Sequence, residues 1–405
     1  MKNIYLLDEY VSSAKNGIGT YLGELLYCFK KMEAQVCLIA FNSDRKEFCI
    51  EDVAGIKTIC FPKFPEGDYN RNSMIVNRFL RLHVPDSPDT VFCFNHSPCG
   101  KLMQSVKESH PMSKQIYIIH DFSWTGPLLG NTLEYSRIVN STTDSSVAKN
   151  KFLLDIWQGE KAMQETADRV VCLSAGTLQL LIDVYGTDKR KIHLIPNGLR
   201  KRKVLDNEVK MLLKKERYIN ENEKVILFVG RLTEPKGIIA LLRALRIVLK
   251  TCPDVKLVIS GASYSHPFSD FSDIASRVIY TGHLGNLELE KWYCIADVGI
   301  IPSYTEQCSY VGIEMMMHGL PIVASDGFGV RDMFHKDVNA IVAPVGRLEH
   351  PEDFVQNISD AILRLFASEE LARQIGENAQ RVYASQYNIG RMKKGYKKLL
   401  NSFKL

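Results

Sequence analysis

The residues best placed to do chemistry in this chain of 405 are Arg231, Lys236, Glu306 and Glu314. The first two fall within Val229-Gly230-Arg231-Leu232-Thr233-Glu234-Pro235-Lys236-Gly237, which follows an apolar run and precedes an amphipathic one. In an open α/β sheet ligands gather at the carboxyl ends of strands, so both cations would project toward a ligand there. Two fixed cations suit a diphosphate, whose negative charge grows as it departs. Gly230 and Gly237 let the chain turn sharply beside it. A strand-to-helix loop with two solvated basic residues is the plain alternative.

Glu306 and Glu314 stand eight residues apart, just beyond the apolar run 298–301, with a helix start expected near Ser309. Glu306 would then lie in the loop and Glu314 about one turn inside the helix, so both can face one cleft. An ionised carboxylate accepts two hydrogen bonds from a vicinal diol, which fits Glu314 to a ribose and Glu306 to a transferred sugar. The start of that helix, Ser309, Tyr310 and Val311, would offer backbone N–H groups to phosphate oxygens. Two glutamates at this spacing also arise by chance in helical proteins. These two are set apart by the strand before them, the Gly319-Leu320-Pro321 stop after them and the basic loop upstream.

The first half offers fewer candidates. Gly17-Ile18-Gly19 lies between a strand and a helix and could present N–H groups to a phosphate, although a surface turn explains it as well. With Gly23 it imitates a dinucleotide fingerprint, but about nine residues separate it from Leu7, whereas that fingerprint follows its strand at once. Ile118-Ile119-His120-Asp121 ends a strand, where His120 could donate a hydrogen bond to a sugar hydroxyl or a carbonyl without acting as a general base. Asn95-His96-Ser97 ends another strand on the expected acceptor side. Trp124, Trp157 and the aromatic residues between Phe61 and Phe79 either stack on an acceptor or pack inside. The segment 63–88 carries prolines and little periodicity, and reads as a mobile loop over the acceptor pocket. Met315-Met316-Met317 reads as core.

These residues must be held by elements whose pattern is plain: short β-branched or aromatic runs alternate with longer amphipathic ones, as in a parallel sheet covered by helices. Strands are expected over 4–7, 36–41, 90–94, 115–119, 169–173 and 192–195, and helices most clearly over 19–31 and 153–167. A polar, charged stretch over 199–224 interrupts the order. Strands resume over 225–229, 255–260, 278–280, 298–301, 322–324 and 340–342, and the last helices run from about 351 to 403. The chain therefore reads as a first α/β domain over 1–198, a linker over 199–224 and a second α/β domain over 225–387.

The composition, 45% hydrophobic and 24% charged, is that of an ordinary folded protein. No apolar run approaches the ~18 residues of a membrane-spanning helix, and Met1-Lys2-Asn3 leads straight into a strand, which makes cytoplasm the expected compartment. The ten cysteines show neither a C-x-x-C pair nor a companion histidine, so neither a disulfide framework nor a zinc site is indicated. The net charge, 51 − 46 = +5, gathers in Arg200-Lys201-Arg202-Lys203 and Lys393-Lys394-Gly395-Tyr396-Lys397-Lys398. Such runs usually form a solvated linker and a solvated helix face, and they would also permit weak contact with anionic lipid, peripheral to an inner membrane. Nucleic acid finds no other support.

Gly230-Arg231-Leu232 with Lys236-Gly237, Pro302-Ser303 with Glu306 and Glu314, and Gly319-x-Pro321-Ile322-Val323-Ala324-Ser325 resemble the signature of the family 4 retaining glycosyltransferases of the GT-B fold. Ser174, Ile195-Pro196-Asn197-Gly198 and Tyr280-Thr281-Gly282 match in order as well. The resemblance implies two facing Rossmann-like domains with a cleft between them, and a final helix, 388–405, packed back onto the first. It also implies that Arg231 and Lys236 stabilise a donor diphosphate, that Glu314 binds ribose and Glu306 the transferred sugar, that His120 contacts the transferred sugar, and that the loop of Gly17 and Gly19 closes on the donor. The donor would be a UDP- or GDP-linked sugar and the acceptor a saccharide, a lipid-linked glycan or a peptide, with no cofactor and no metal. The Asn16–Tyr21 start and the 306–310 run are similar to a Bacteroidetes subgroup of that family. The chain departs from the pattern in Gln307-Cys308-Ser309, where Gly-Phe-Gly is usual, which puts backbone approach to the phosphate there in doubt. It also departs in Leu199-Arg200 for Val-Asp and in Asp332 for Glu. Two other readings stay open: a non-catalytic nucleotide-sugar binder, and a nicotinamide-dependent dehydrogenase prompted by Gly17, Gly19 and Gly23. The latter lacks a clear acidic ribose-binding residue after the second strand.

Overall fold

A computed structural model describes residues 2–9, 17–64, 69–95, 99–141, 143–205, 209–262 and 269–403. Asn16, His96 and Ser97, and the stretch 65–68, lie outside the described residues. The chain divides into two compact units, Met1–Gly198 with Ile389–Leu405, and Leu199–Asn388. The stretch 199–224 belongs to the second unit.

The first unit runs β1 (Asn3–Glu9), α1 (Gly17–Lys30), β2 (Gln35–Ser43), β3 (Cys49–Val53), β4 (Ile56–Pro62), α2 (Tyr69–His83), β5 (Thr90–Phe94), α3 (Gly100–Ser109) and β6 (Lys114–Ile118). It continues with α4 (Thr132–Val139), α5 (Asp144–Lys149), α6 (Lys151–Thr166), β7 (Arg169–Cys172), α7 (Ala175–Asp183) and β8 (Ile192–Leu194). The second unit holds α8 (Lys210–Glu216), β9 (Lys224–Val229), α9 (Ile238–Thr251), β10 (Val255–Ser260), β11 (Val278–Gly282), α10 (Asn286–Ile295) and β12 (Val298–Ile301). After it come α11 (Tyr310–Met317), β13 (Ile322–Ser325), β14 (Ile341–Ala343), α12 (Pro351–Phe366) and α13 (Glu369–Val382). The last helix, α14 (Ile389–Asn401), returns to the first unit.

The first sheet has the order β3-β4-β2-β1-β5-β6-β7-β8 and the second β11-β10-β9-β12-β13-β14. Every pairing is parallel except β3 with β4. Central strands such as β5, β12 and β13 are buried along their whole length, because helices cover both faces of a parallel sheet. In each sheet the chain winds outward from one strand and then returns to that strand's other side. The reversal lies between β1 and β5 in the first unit and between β9 and β12 in the second, and the crevice at such a switch point is where this architecture binds ligands.

Two expectations are corrected. Residues 69–83, read as a mobile loop, form α2, whose Ser73, Val76 and Leu80 recur at helical spacing and are buried. The hairpin β3–β4 went unread: β3 is a short edge strand with no buried residue, although β4, paired between β3 and β2, buries Thr58, Ile59, Cys60 and Phe61. Its turn, Ala54-Gly55, has both residues at positive φ (52° and 79°), the geometry of a type I′ turn, with an alanine where asparagine or aspartate usually announces it.

α14 shows how a basic sequence becomes one helix face. Met392, Tyr396, Leu399 and Leu400 are buried, while Arg391, Lys394, Lys397 and Lys398 are exposed. On the buried side Tyr396 stacks edge-on against Phe29 of α1 at 5.5 Å, and its hydroxyl meets that of Tyr21. No helix among the described residues is long and apolar enough to cross a membrane.

Candidate functional site

In the second unit the loops after β9 and β12 meet at the switch point. The first loop leaves the sheet at Gly230, whose N–H donates to Ser260 O at 2.9 Å, and is pinned by the buried Leu232, whose N–H donates to Ala262 O at 3.1 Å. It then makes a single 3-10 turn, Glu234–Lys236, and enters α9 through Gly237 at φ 70°. A Cβ on Gly237 would stand 1.9 Å from Pro302 O, so only glycine lets the two loops approach this closely. Tyr304 N–H donates to Pro235 O at 2.8 Å and joins them.

The second loop is braced from behind. Phe328 N–H donates to Tyr304 O at 3.0 Å and Glu306 N–H to Phe328 O at 2.9 Å, while the Ser325 hydroxyl donates to Ser303 O. Gly329, at φ 74°, lies so close that a Cβ would come within 1.8 Å of Glu306 O. The outcome is a fixed carboxylate: Glu306 Oε1 accepts from Lys236 Nζ at 2.6 Å and from Ser303 Oγ at 3.1 Å. Arg231 stands exposed on the same loop as Lys236, with no side-chain hydrogen bond or ion pair among the described residues. Ser309 caps α11, its hydroxyl accepting from Gly312 N–H at 3.2 Å, so that Tyr310 and Val311 form the first turn.

Glu314 lies one turn inside α11, where its spacing from Ser309 puts it. It is buried, with Oε1 accepting from Arg202 Nη1 at 3.0 Å and Oε2 from the Tyr293 hydroxyl at 2.8 Å. Arg202 also stands 3.5 Å from Glu290 Oε1, and His318 Nε2 lies 2.7 Å from the other oxygen of Glu290. Burial raises the Glu314 carboxyl above the usual range, and Arg202 opposes that rise. Arg202 therefore does not belong to a solvated linker. Sequence reading missed its role, along with Tyr293, since no spacing links residues brought together from separate elements; Ser303 was read with the Glu306 segment but given no role of its own. Met315, Met316 and Met317 pack in the core.

In the first unit the carboxyl ends of β1, β5 and β6 bring together Asp8, Asn95 and His120. Asn95 Nδ2 donates to Asp8 Oδ1 at 3.3 Å, which orients the amide, and its Oδ1 faces His120 Nε2 at 2.7 Å. That contact places the imidazole proton on Nε2, and burial pulls the ring's pKa down to about 4. His120 is thus neutral at pH 7 with its proton committed to Asn95, and Nδ1 is left as an acceptor instead of the expected donor. Its ring lies edge-on to Tyr21 of α1, centroids 4.5 Å apart. Gly17 and Gly19 occupy the first turn of α1. Gly23 lies further inside that helix with open space where a Cβ would go, so it does not serve the close helix-to-strand packing of a dinucleotide fingerprint.

Other aromatic candidates resolve as packing. Trp124 is fully buried and stacks on Tyr135 at 4.2 Å, over a cluster in which the Tyr185 hydroxyl donates to Glu160. Phe61 is buried, and Phe48 stacks on Phe79 at 4.2 Å. Trp157 is half-buried, donating to Val184 O at 3.4 Å under the ammonium of Lys161. One cluster of possible metal ligands lies on the edge hairpin, where Cys49 and Cys60 are register partners and their thiols lie within 4.8 Å of each other and of Glu51. Arg45 already forks Glu51, and burial with that carboxylate pushes the Cys60 thiol up to about 12. A cavity of about 670 Å³ opens in the second unit beside Lys224, Val298 and Pro321, at the amino ends of the strands and so at the end opposite Lys236 and Glu306.

A doubly wound parallel sheet that pairs a lysine with a carboxylate at its switch point offers the crevice in which this architecture binds ligands, and the two such units of this chain give it the GT-B fold. The chain belongs to the glycosyltransferases: residues 15–201 match the model described as Glycosyltransferase Family 4, and residues 210–382 match Glycosyl transferases group 1. An uncharacterized glycosyltransferase of Methanocaldococcus jannaschii is 31% identical over 180 residues, 43% of this chain and 46% of that protein. The chain thus aligns with about half the length of the curated relatives it matches. Among solved structures, sucrose-phosphate synthase from Thermosynechococcus elongatus superposes with a TM-score of 0.75 at 17% identity, covering 99% of each chain. The Anabaena protein HepE, solved with UDP and glucose, gives 0.71 at 16% identity, covering 99% of this chain and all of that one. These two share the fold.

Proposed function

We propose that the protein transfers a sugar from a UDP- or GDP-linked donor to a saccharide, a lipid-linked glycan or a peptide, with retention of anomeric configuration. The observation that carries this reading is the junction of Lys236 with Glu306 at the β9/β12 switch point, in a chain of this family. Lys236 and Arg231 neutralise the diphosphate as it leaves, together with the N–H groups of Tyr310 and Val311; the Ser309 N–H is directed instead at Met333 Sδ, 3.1 Å away. Glu306 accepts hydrogen bonds from hydroxyls of the transferred sugar, and its bond to Lys236 keeps it aimed. Glu314 takes the ribose diol.

In this reading the acceptor oxygen bonds to the anomeric carbon on the face from which the diphosphate departs. The acceptor's proton passes to the leaving phosphate oxygen. His120, neutral, accepts a hydroxyl hydrogen bond at Nδ1 and is not the base. Protein cations meet the diphosphate's charge, so neither metal nor cofactor takes part. The solved complex of HepE with UDP and glucose supports the donor class.

The test is incubation with a panel of UDP- and GDP-sugars, scoring release of nucleoside diphosphate. Release that is lost in Lys236→Ala and in Glu314→Ala is the expected result. Stabilisation by UDP or GDP without turnover of any donor would instead make the protein a binder. Release undiminished in both variants would overturn the site.

A further inference from the structure

The region around Glu314 contains more machinery than a ribose contact requires. Leu199, the first residue of the second unit, is locked by backbone and side chain: its N–H donates to Tyr387 O at 2.9 Å, and its carbonyl accepts from the Tyr383 hydroxyl at 3.2 Å. Three residues on, Arg202 N–H points at Met317 Sδ at 3.4 Å, which fixes where its side chain begins. The guanidinium then reaches between two buried carboxylates, 3.0 Å from Glu314 and 3.5 Å from Glu290. The other oxygen of the second carboxylate lies 2.7 Å from His318 Nε2, and that imidazole stacks on Tyr293 at 4.8 Å.

An ionised carboxylate has about four lone-pair sites. Arg202 uses one on Oε1 and the Tyr293 hydroxyl one on Oε2, which leaves one on each oxygen, side by side, as a vicinal diol needs. If the carboxyl were protonated, one of those acceptors would become a donor and the match would fail. The groups facing Glu314 are Arg202, Tyr293 and Glu290, with His318 behind Glu290. Of these only Arg202 is a permanent cation.

We infer that Arg202 is a positioning residue for the donor: it holds Glu314 so that its two remaining lone pairs meet the ribose diol, and thereby sets donor affinity. The inference rests on the reading of Glu314 given above. Because Arg202 acts through Glu314 and not on the reacting bond, its loss acts on ground-state and transition-state binding alike, raising KM while sparing kcat. It also leaves two buried carboxylates without their shared cation, so protonation of Glu314 moves to higher pH.

The experiment compares Arg202→Met, Arg202→Lys and Tyr293→Phe with the unmodified chain for kcat, donor KM and the pH dependence of kcat/KM, with melting curves as a check on folding. Arg202→Met should raise donor KM at least tenfold with kcat within about threefold, and should shift the acid limb of kcat/KM upward. Arg202→Lys, which keeps the charge, should restore the acid limb while recovering KM only in part. Should Arg202→Met fail to fold, Arg202→Lys and Tyr293→Phe decide, each being expected to raise KM without lowering kcat. Donor KM and acid limb unchanged in folded variants would overturn the inference, provided Lys236→Ala has abolished release. Release undiminished in Lys236→Ala would instead overturn the functional reading beneath it.

Discussion

The ammonium of Lys236 lies 2.6 Å from Oε1 of Glu306, although 70 residues separate the two in sequence. Each is only partly exposed, and Ser303 adds a second donor to the same oxygen. The pair is a preformed electrostatic unit; in the function proposed above its cation would serve a leaving phosphate and its anion sugar hydroxyls.

Removing one such donor to a developing oxyanion typically costs 10²–10³ in rate. Lys236→Ala should therefore lower kcat by about 100-fold or more while melting within a few degrees of the unmodified protein. Lys236→Arg should retain part of the activity, because the charge survives but the compact ammonium does not. Steady-state kinetics alongside calorimetric melting checks both halves of this expectation.

Gly237 is where the two loops of the site are joined. Alanine there would combine a left-handed backbone at φ 70° with a Cβ that overlaps Pro302 O. Gly237→Ala should destabilise by about 2 kcal/mol or more and also impair turnover, since relief of the overlap moves Lys236 relative to Glu306. Denaturant unfolding measures the first effect, and a loss smaller than about 0.5 kcal/mol would contradict the close approach.

Much of this was legible beforehand. Strands β5, β10 and β12 begin and end where the apolar runs do, because a parallel sheet covered on both faces turns burial into an uninterrupted sequence signal. The cap at Ser309 was readable for the same local reason, with its partner only three residues away. The hairpin β3–β4 was hidden because its edge strand β3 buries nothing that could impose a pattern, and its turn uses alanine at positive φ. Arg202 was hidden more completely. The residue it serves is 112 positions distant, and a run of four cations looks solvated until the fold turns one of them inward.

His120 gives a signed pH effect. Its folded pKa, about 4, lies below the ordinary 6.5 because the buried ring resists charging. The stability tied to its neutral form is complete above pH 6.5 and drains away as pH falls toward 4. His120→Asn should flatten the loss of melting temperature between pH 6.5 and 4. A profile as steep as that of the unmodified protein would show that another group is responsible.

Glu160 works in the opposite direction. Its carboxyl is held near 7 by burial, accepting from Tyr185 and, at 2.8 Å, from the N–H of Ser123, three residues after His120. A carboxyl raised above its unfolded value contributes stability below pH 4.5 that is lost as pH climbs through about 7. Glu160→Gln, which stays neutral, should gain in melting temperature relative to the unmodified protein from pH 5 to pH 8. A constant difference across that range would remove Glu160 as the titrating group.

The central claim is that the loops after β9 and β12 hold the diphosphate of a nucleotide sugar. Calorimetric titration of the intact chain with UDP and with GDP, repeated on the Arg231→Ala/Lys236→Ala double variant, tests it most directly. One of the two nucleotides should bind the unmodified chain with one-to-one stoichiometry, and the double variant should bind it at least a hundredfold more weakly. Equal affinity in the two proteins, or no binding of either nucleotide, would contradict the claim.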